Sequence, residues 1–198
     1  MKKTLFTLLL SSSLFAQEKA TDLVGLSLNF IGFGAQYEKA INDNFTGQAT
    51  VEYMGVFYSV GHVLDFDLKG LCTLKLSLEG RYYYNFDKRI SNGKNTKNNS
   101  ANYLAFKGSI YPDWLTTTND DGKTLEKRGI VAFNYGMRRS FNKNLFFEFY
   151  GGPGIIFTQE KILNTSYLNE NKELHEAYYN INSSETSFDV GFRIGYNF

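Results

Sequence analysis

The chain of 198 residues has one cysteine, Cys72, so no internal disulfide can brace it. With no histidine near it in sequence, Cys72 reads as a small apolar filler on a strand rather than a reactive thiol. Proline is scarce as well, at two residues, which leaves long stretches free to form uninterrupted strands. The two histidines, His62 and His175, recur with no carboxylate set at ligand spacing, and Asn119-Asp120-Asp121-Gly122 reads as a turn. No metal and no cofactor is expected on that basis. Neither sign of charge dominates, with 21 Lys and Arg against 20 Asp and Glu, so there is no electrostatic case for nucleic-acid binding. Long apolar runs and helix-period stretches are absent after the first sixteen residues, and mean hydropathy is slightly negative. This argues against a helical membrane protein but not against a barrel, in which only alternate residues need be apolar.

What is abundant is aromatic and glycine: 18 phenylalanines, 14 tyrosines and 18 glycines. Such a composition suits many strands joined by tight turns, with rings at a membrane boundary. The start of the chain supplies an address. Lys2 and Lys3 precede the apolar Leu5 to Leu10, with Leu14 and Phe15 following, and Ala16 offers a small residue for cleavage before Gln17. Residues 1–16 are therefore read as a signal peptide, too short for a stable membrane anchor. The remaining residues, 17–198, are expected to form one domain of 19 basic and 20 acidic residues.

The last eleven residues, from Phe188 to Phe198, alternate without a break between large apolar side chains and polar or glycine ones. Successive strand side chains point to opposite sides, so Phe188, Val190, Phe192, Ile194, Tyr196 and Phe198 share one oily face, and Asp189 and Arg193 share the other. Eight segments read this way, at about 23–31, 33–41, 45–57, 66–86, 102–111, 129–141, 145–158 and 185–198. The expected fold is an all-β, eight-stranded, antiparallel, up-and-down transmembrane β-barrel. Asn42-Asp43-Asn44 and Asn142-Lys143-Asn144 read as three-residue hairpin loops, since asparagine tolerates the left-handed backbone such loops need. Ile41 would then face Phe45, Phe141 would face Leu145, and Arg138 would stand opposite Glu148. Segments 58–65, 112–128 and 159–184 are expected to be polar outer loops, and 87–101 a solvated, flexible, basic and asparagine-rich turn, with a periplasmic docking site for a partner or lipid phosphate as the second reading. A bulge or bend is expected at Pro153.

Carrying the alternation along every strand sends Glu38, Glu52, Glu79, Glu148 and Asp189 inward together with Lys75, Arg81, Lys107, Arg138 and Arg193. Five acids meet five bases. An eight-stranded barrel is just wide enough for its interior to be filled by side chains, so these charges should pair and plug it rather than line a channel. Tyr83, Tyr103 and Tyr150 share that face. The outward set is apolar and includes Leu74, Leu76, Leu78, Tyr82, Tyr84, Phe86, Val131, Phe133, Tyr135 and Met137. Arg139, two residues from a turn, interrupts it and can reach lipid headgroups.

With the export signal, the eight alternating segments, the balanced lumen and the terminal Phe198, the chain resembles small outer-membrane β-barrel proteins of the OmpA transmembrane domain, OmpX and OmpW kind. Arg81-Tyr82-Tyr83-Tyr84-Asn85-Phe86 and Lys88 through Lys94 look like the "outer membrane protein beta-barrel domain" group. The resemblance implies location in the outer membrane of a Gram-negative envelope, contact with its lipid, and delivery by the barrel-assembly machinery. It likens Phe192, Ile194, Tyr196 and Phe198 to the C-terminal signal that machinery reads. The leading functional expectation is a non-enzymatic barrel whose outer loops contact a partner, lipid or ligand. A narrow channel or hydrophobic-ligand transporter is one alternative. A lipid-modifying enzyme is another, resting on His62 near Ser59 and Asp65 and on His175 near Glu173 and Glu176; these spacings define no triad, and no catalytic residue is assigned.

Overall fold

The computed structural model describes residues 19–60, 67–112, 116–118, 127–141, 143–168 and 174–198, of which 56–60, 67–71, 116–118, 160–168 and 174–181 are described by their backbone alone. The signal segment, His62 and the turn at 119–122 lie outside the described residues. The strands are β1 (Leu23–Asn29), β2 (Gly32–Ala40), β3 (Phe45–Val60), β4 (Asp67–Tyr82), β5 (Asn102–Tyr111), a short β6 (Thr116–Thr118), β7 (Lys127–Phe141), β8 (Leu145–Leu168) and β9 (Leu174–Asn197). Eight of them, all but β6, pair antiparallel with their neighbours in an up-and-down order, and β9 pairs with β1 to close the ring. β6 adds three residues to β4 above the end of β5. The fold is an all-β closed ring with almost no helix.

The ring is strongly staggered. Following paired residues around it, Leu26 leads through Ala35, Val51, Leu76, Ile110, Gly129 and Phe157 to Ser184; the β9–β1 register then returns to position 38 on the β1 line, twelve positions from the start. With ordinary strand spacings, a stagger of twelve over eight strands tilts them by about 45°. The rim is also uneven. β1 and β2 end at the Asn29–Gly32 pair with a two-residue turn at Phe30 and Ile31, whereas β3 continues past Met54 to Val60 and β9 runs far above its last β1 partner.

Both three-residue connections have the register that apolar pairing across them requires. The Ile41 and Asn42 amides donate to Phe45 O at 2.9 and 3.2 Å, and Phe141 pairs with Leu145, which sets Arg138 against Glu148. Four expectations are corrected. The segment 159–184 is mostly strand: β8 and β9 form a hairpin of 24 residues a side, paired from Leu145 to Leu168 apart from a register shift at Leu163/Thr165. β4 stops at Tyr82, and Phe86 turns inward, fully buried, 4.9 Å from the Tyr83 ring. Residues 86–101 do not form a solvated turn. They fold as helix α1 (Phe86–Ser91) and a 3₁₀ turn (Lys97–Asn99) beneath the barrel, because Phe86 and Ala101 can bury against Tyr83, Tyr103 and Ala105. At Pro153 there is no added residue; the β7–β8 ladder instead lapses between the Ala132–Gly154 and Tyr135–Gly151 pairs and resumes in the same register.

The terminal end is stitched shut. Asn99 accepts from the Thr21 amide at 2.8 Å and donates to Thr21 O at 3.0 Å, Asn98 donates to Lys143 O, and the Asn102 amide donates to Asn85 Oδ1. Asparagine side chains here do the work that backbone ladders do in the wall.

Candidate functional site: a charge-filled lumen

Every charged residue that is buried among the described residues belongs to the ten assigned inward from alternation. Glu38, Glu52, Lys75, Glu79, Arg81, Lys107, Arg138, Glu148 and Arg193 are buried, and the side chain of Asp189 is 9% exposed. The wall places them by period two: each strand contributes alternate residues, and the register brings opposite signs together.

Glu148 is the hub. Its two oxygens accept a paired fork from Arg81 at 2.9 and 3.0 Å, a bond from Arg193 at 2.9 Å and one from Arg138 at 3.2 Å. One carboxylate of β8 thus holds guanidiniums from β4, β7 and β9. Glu79 takes the Arg81 Nε–H at 2.9 Å, and Glu38 takes the hydroxyls of Thr46 and Tyr83, each at 2.7 Å, while lying 3.7 Å from Arg138. Glu52 accepts from Arg193 Nε at 3.1 Å and from Asn29 at 2.8 Å, with Lys75 at 3.5 Å. Higher up, Asp189 accepts from Lys107 at 2.9 Å and Asn134 at 2.6 Å. Charge-assisted bonds of this density are the condition under which ions tolerate an enclosed site.

Aromatic rings complete the fill. Arg138 stacks on Phe146 at 3.9 Å, Lys107 on Tyr150 at 4.2 Å and Arg81 on Tyr103 at 4.4 Å. Three of these rings lie over cross-strand glycines: Tyr103 over Gly136, Tyr150 over Gly191 and Phe146 over Gly195, where a Cβ would meet the ring. Phe146, Asn29, Asn134 and Asn197, the last accepting from Arg138 at 2.9 Å, join the inward tyrosines without having been expected there. Their inward parity was the available signal.

The outer wall is apolar. Exposed side chains include Val24, Leu26, Leu28, Phe33, Val51, Leu78, Phe106, Ile110, Phe133, Phe149, Ile155, Phe188 and Val190, so the band runs around the whole ring. Phe192, Ile194, Tyr196 and Phe198 lie on this face, with Tyr196 and Phe198 edge to face at 5.4 Å and Phe192 against Phe30 at 5.7 Å. Arg139 donates to Arg138 O and to Asn102 Oδ1. Cys72 is half-buried on β4. His175 lies in β9, where its backbone pairs with Tyr167 of β8. Among the described residues, no group of three or more His, Cys, Asp and Glu is arranged to hold a metal ion. Among the described residues no helix is long and apolar enough to cross a membrane, which says nothing of strands.

Chemically, the lumen is a set of compensated ions. Its carboxylates are engaged by cations or hydroxyls, so the arrangement braces opposite walls rather than presenting an acid–base pair to solvent. No protein-family model, curated protein or solved structure matches the chain.

Proposed function

We propose that this chain is a small, non-enzymatic outer-membrane β-barrel: a charge-plugged anchor that holds the β8–β9 hairpin above the membrane to contact a partner, lipid or ligand. The observation that carries the reading is the segregation of the wall. A closed ring with an apolar exterior on every strand and paired ions inside has the polarity of a membrane-spanning barrel, inverted relative to a soluble one. Among the described residues, β8 beyond Gln159 pairs only with β9, as a two-stranded ribbon. An exposed ribbon offers two strand edges for a partner. Delivery by barrel-assembly machinery through Phe192, Ile194, Tyr196 and Phe198 belongs to the same proposal.

The test has three measurements. The full chain should require detergent, shift mobility on heating in an SDS gel, and show no conductance steps in planar bilayers. Recovery in the aqueous phase without detergent sinks the membrane reading; steady conductance sinks the plug.

One observation favours a second reading, entry of a hydrophobic ligand through the wall. The β1–β2 hairpin ends low, with exposed Phe30 and Ile31, between taller β3 and β9. A short wall segment leaves a side notch open toward lipid at the upper lumen. Binding of a fatty-acid probe that is lost when the hairpin is lengthened by two residue pairs would favour that reading over the arm.

A further inference from the structure

We propose that Arg89 and Arg139 form a clasp for the phosphodiester of a glycerophospholipid at the rim that carries the chain ends. The inference rests on the membrane reading above. Among the arginines, Arg81, Arg138 and Arg193 each have carboxylates within 4 Å in the lumen. Arg89 and Arg139 pair with no carboxylate among the described residues, yet both are half-buried.

Two separate elements hold them together. Arg89, on α1, donates to Asn95 O at 2.7 Å, and Asn95 donates to Ser140 O at 3.0 Å, tying the turn to the residue after Arg139. Arg139, near the end of β7, donates to Arg138 O at 2.7 Å and to Asn102 Oδ1 at 2.6 Å. Asn95 thus joins the Arg89 guanidinium to the strand end that carries Arg139, and Arg89 Nε is withdrawn from solvent without a hydrogen-bond partner. Like charges fixed side by side gain from an anion between them, and guanidinium forks match the oxygens of a phosphate.

The surroundings select a lipid as the source. Asn102 also donates to the Tyr135 hydroxyl at 2.7 Å and the Tyr84 hydroxyl at 3.3 Å, and both tyrosines are exposed on the outer wall. Amphipathic rings at a strand end mark headgroup depth. A phosphate there is carried by a lipid whose chains lie along the apolar wall.

The experiment is native mass spectrometry of the full chain released from detergent after incubation with phosphatidylglycerol, with inorganic phosphate as competitor. The wild type should keep one lipid, and R89Q/R139Q should lose retention by about tenfold or more. Because Arg139 sits in the wall, R89Q alone is the second variant; its side chain leaves from α1, outside the ring, and it should lose retention several-fold while keeping the heat-dependent mobility shift. Equal retention by wild type and R89Q overturns the clasp. Displacement of the lipid by millimolar inorganic phosphate overturns the lipid as its source. A wild type that fails to enter vesicles overturns the membrane reading instead, whereas insertion with retention indifferent to both arginines overturns the clasp alone.

Discussion

Three guanidiniums share the Glu148 carboxylate, so Glu148→Gln keeps the shape and removes the one charge that Arg81, Arg138 and Arg193 hold in common. Leaving buried cations uncompensated costs roughly 3–5 kcal/mol, and urea unfolding in detergent should show a loss of that order. Adding Arg138→Gln removes one cation with the anion, so the double variant should be more stable than the sum of the singles predicts. The inward glycines make a second prediction. A Cβ at Gly191 meets the Tyr150 ring, and one at Gly136 meets Tyr103, whereas one at the outward Gly108 meets nothing within 4 Å. Gly191→Ala and Gly136→Ala should each destabilise by about 1–3 kcal/mol through overpacking, and Gly108→Ala should be neutral in the same assay. At this scale the chain was nearly transparent before any coordinates. Inward parity found all ten lumen charges because each lies on an unbroken alternation, and the Arg138–Glu148 pairing followed from counting back from Asn142-Lys143-Asn144. Asn29, Asn134, Phe146 and Asn197 share the inward parity of Tyr83, Tyr103 and Tyr150, but amides have no charge to balance and an inward Phe runs against the polar fill, so parity alone does not single them out.

Elements depart from expectation wherever the period-two pattern of the wall stops. Thr158 to Asn164 and Glu176 to Ser184 are strand, yet their sequence offers no single oily face. Period-two hydropathy therefore vanished while the hydrogen bonds continued. Phe86 misled in the opposite way: it continues the parity of Tyr82 and Tyr84, but the chain has already left the wall and the ring turns under the barrel against Tyr83. Replacing residues 86–98 with a short turn should lower the thermal midpoint, since Tyr83 and Tyr103 lose their cover, without creating conductance, because the Glu38, Arg81, Arg138 and Glu148 layer still fills the lumen. The N-terminal latch gives a pH prediction. Lys39, at 2.6 Å, and then the Ala40 amide hold the Asp22 carboxyl below its usual range. A lowered carboxyl value adds stability that is present above the unfolded value near pH ~4 and lost as pH falls through the folded one. Limited proteolysis of the segment at 19–22 should quicken on acidification through that window, and Asp22→Asn should remove the dependence.

For the whole molecule, anchor and arm are separable in this structure. β8 and β9 are locked into the ring below Gln159 and, among the described residues, pair only with each other above it. Replacing residues 161–180 with a two-residue turn should leave the heat-dependent mobility shift intact and abolish contact with any partner of the arm; loss of the shift would show that the ribbon is needed to fold the barrel. The links made by Glu148 have a consequence for the order of assembly. Its partner Arg193 comes from the neighbouring β9 and its partner Arg81 from β4, three strands away, and Arg193 also reaches Glu52 on β3, three strands the other way past the seam. In an unclosed sheet those ions would stand apart from their partners. Charge neutralisation and closure of the seam between β1 and β9 are therefore coupled, and a sheet left open bears the cost of unpaired ions.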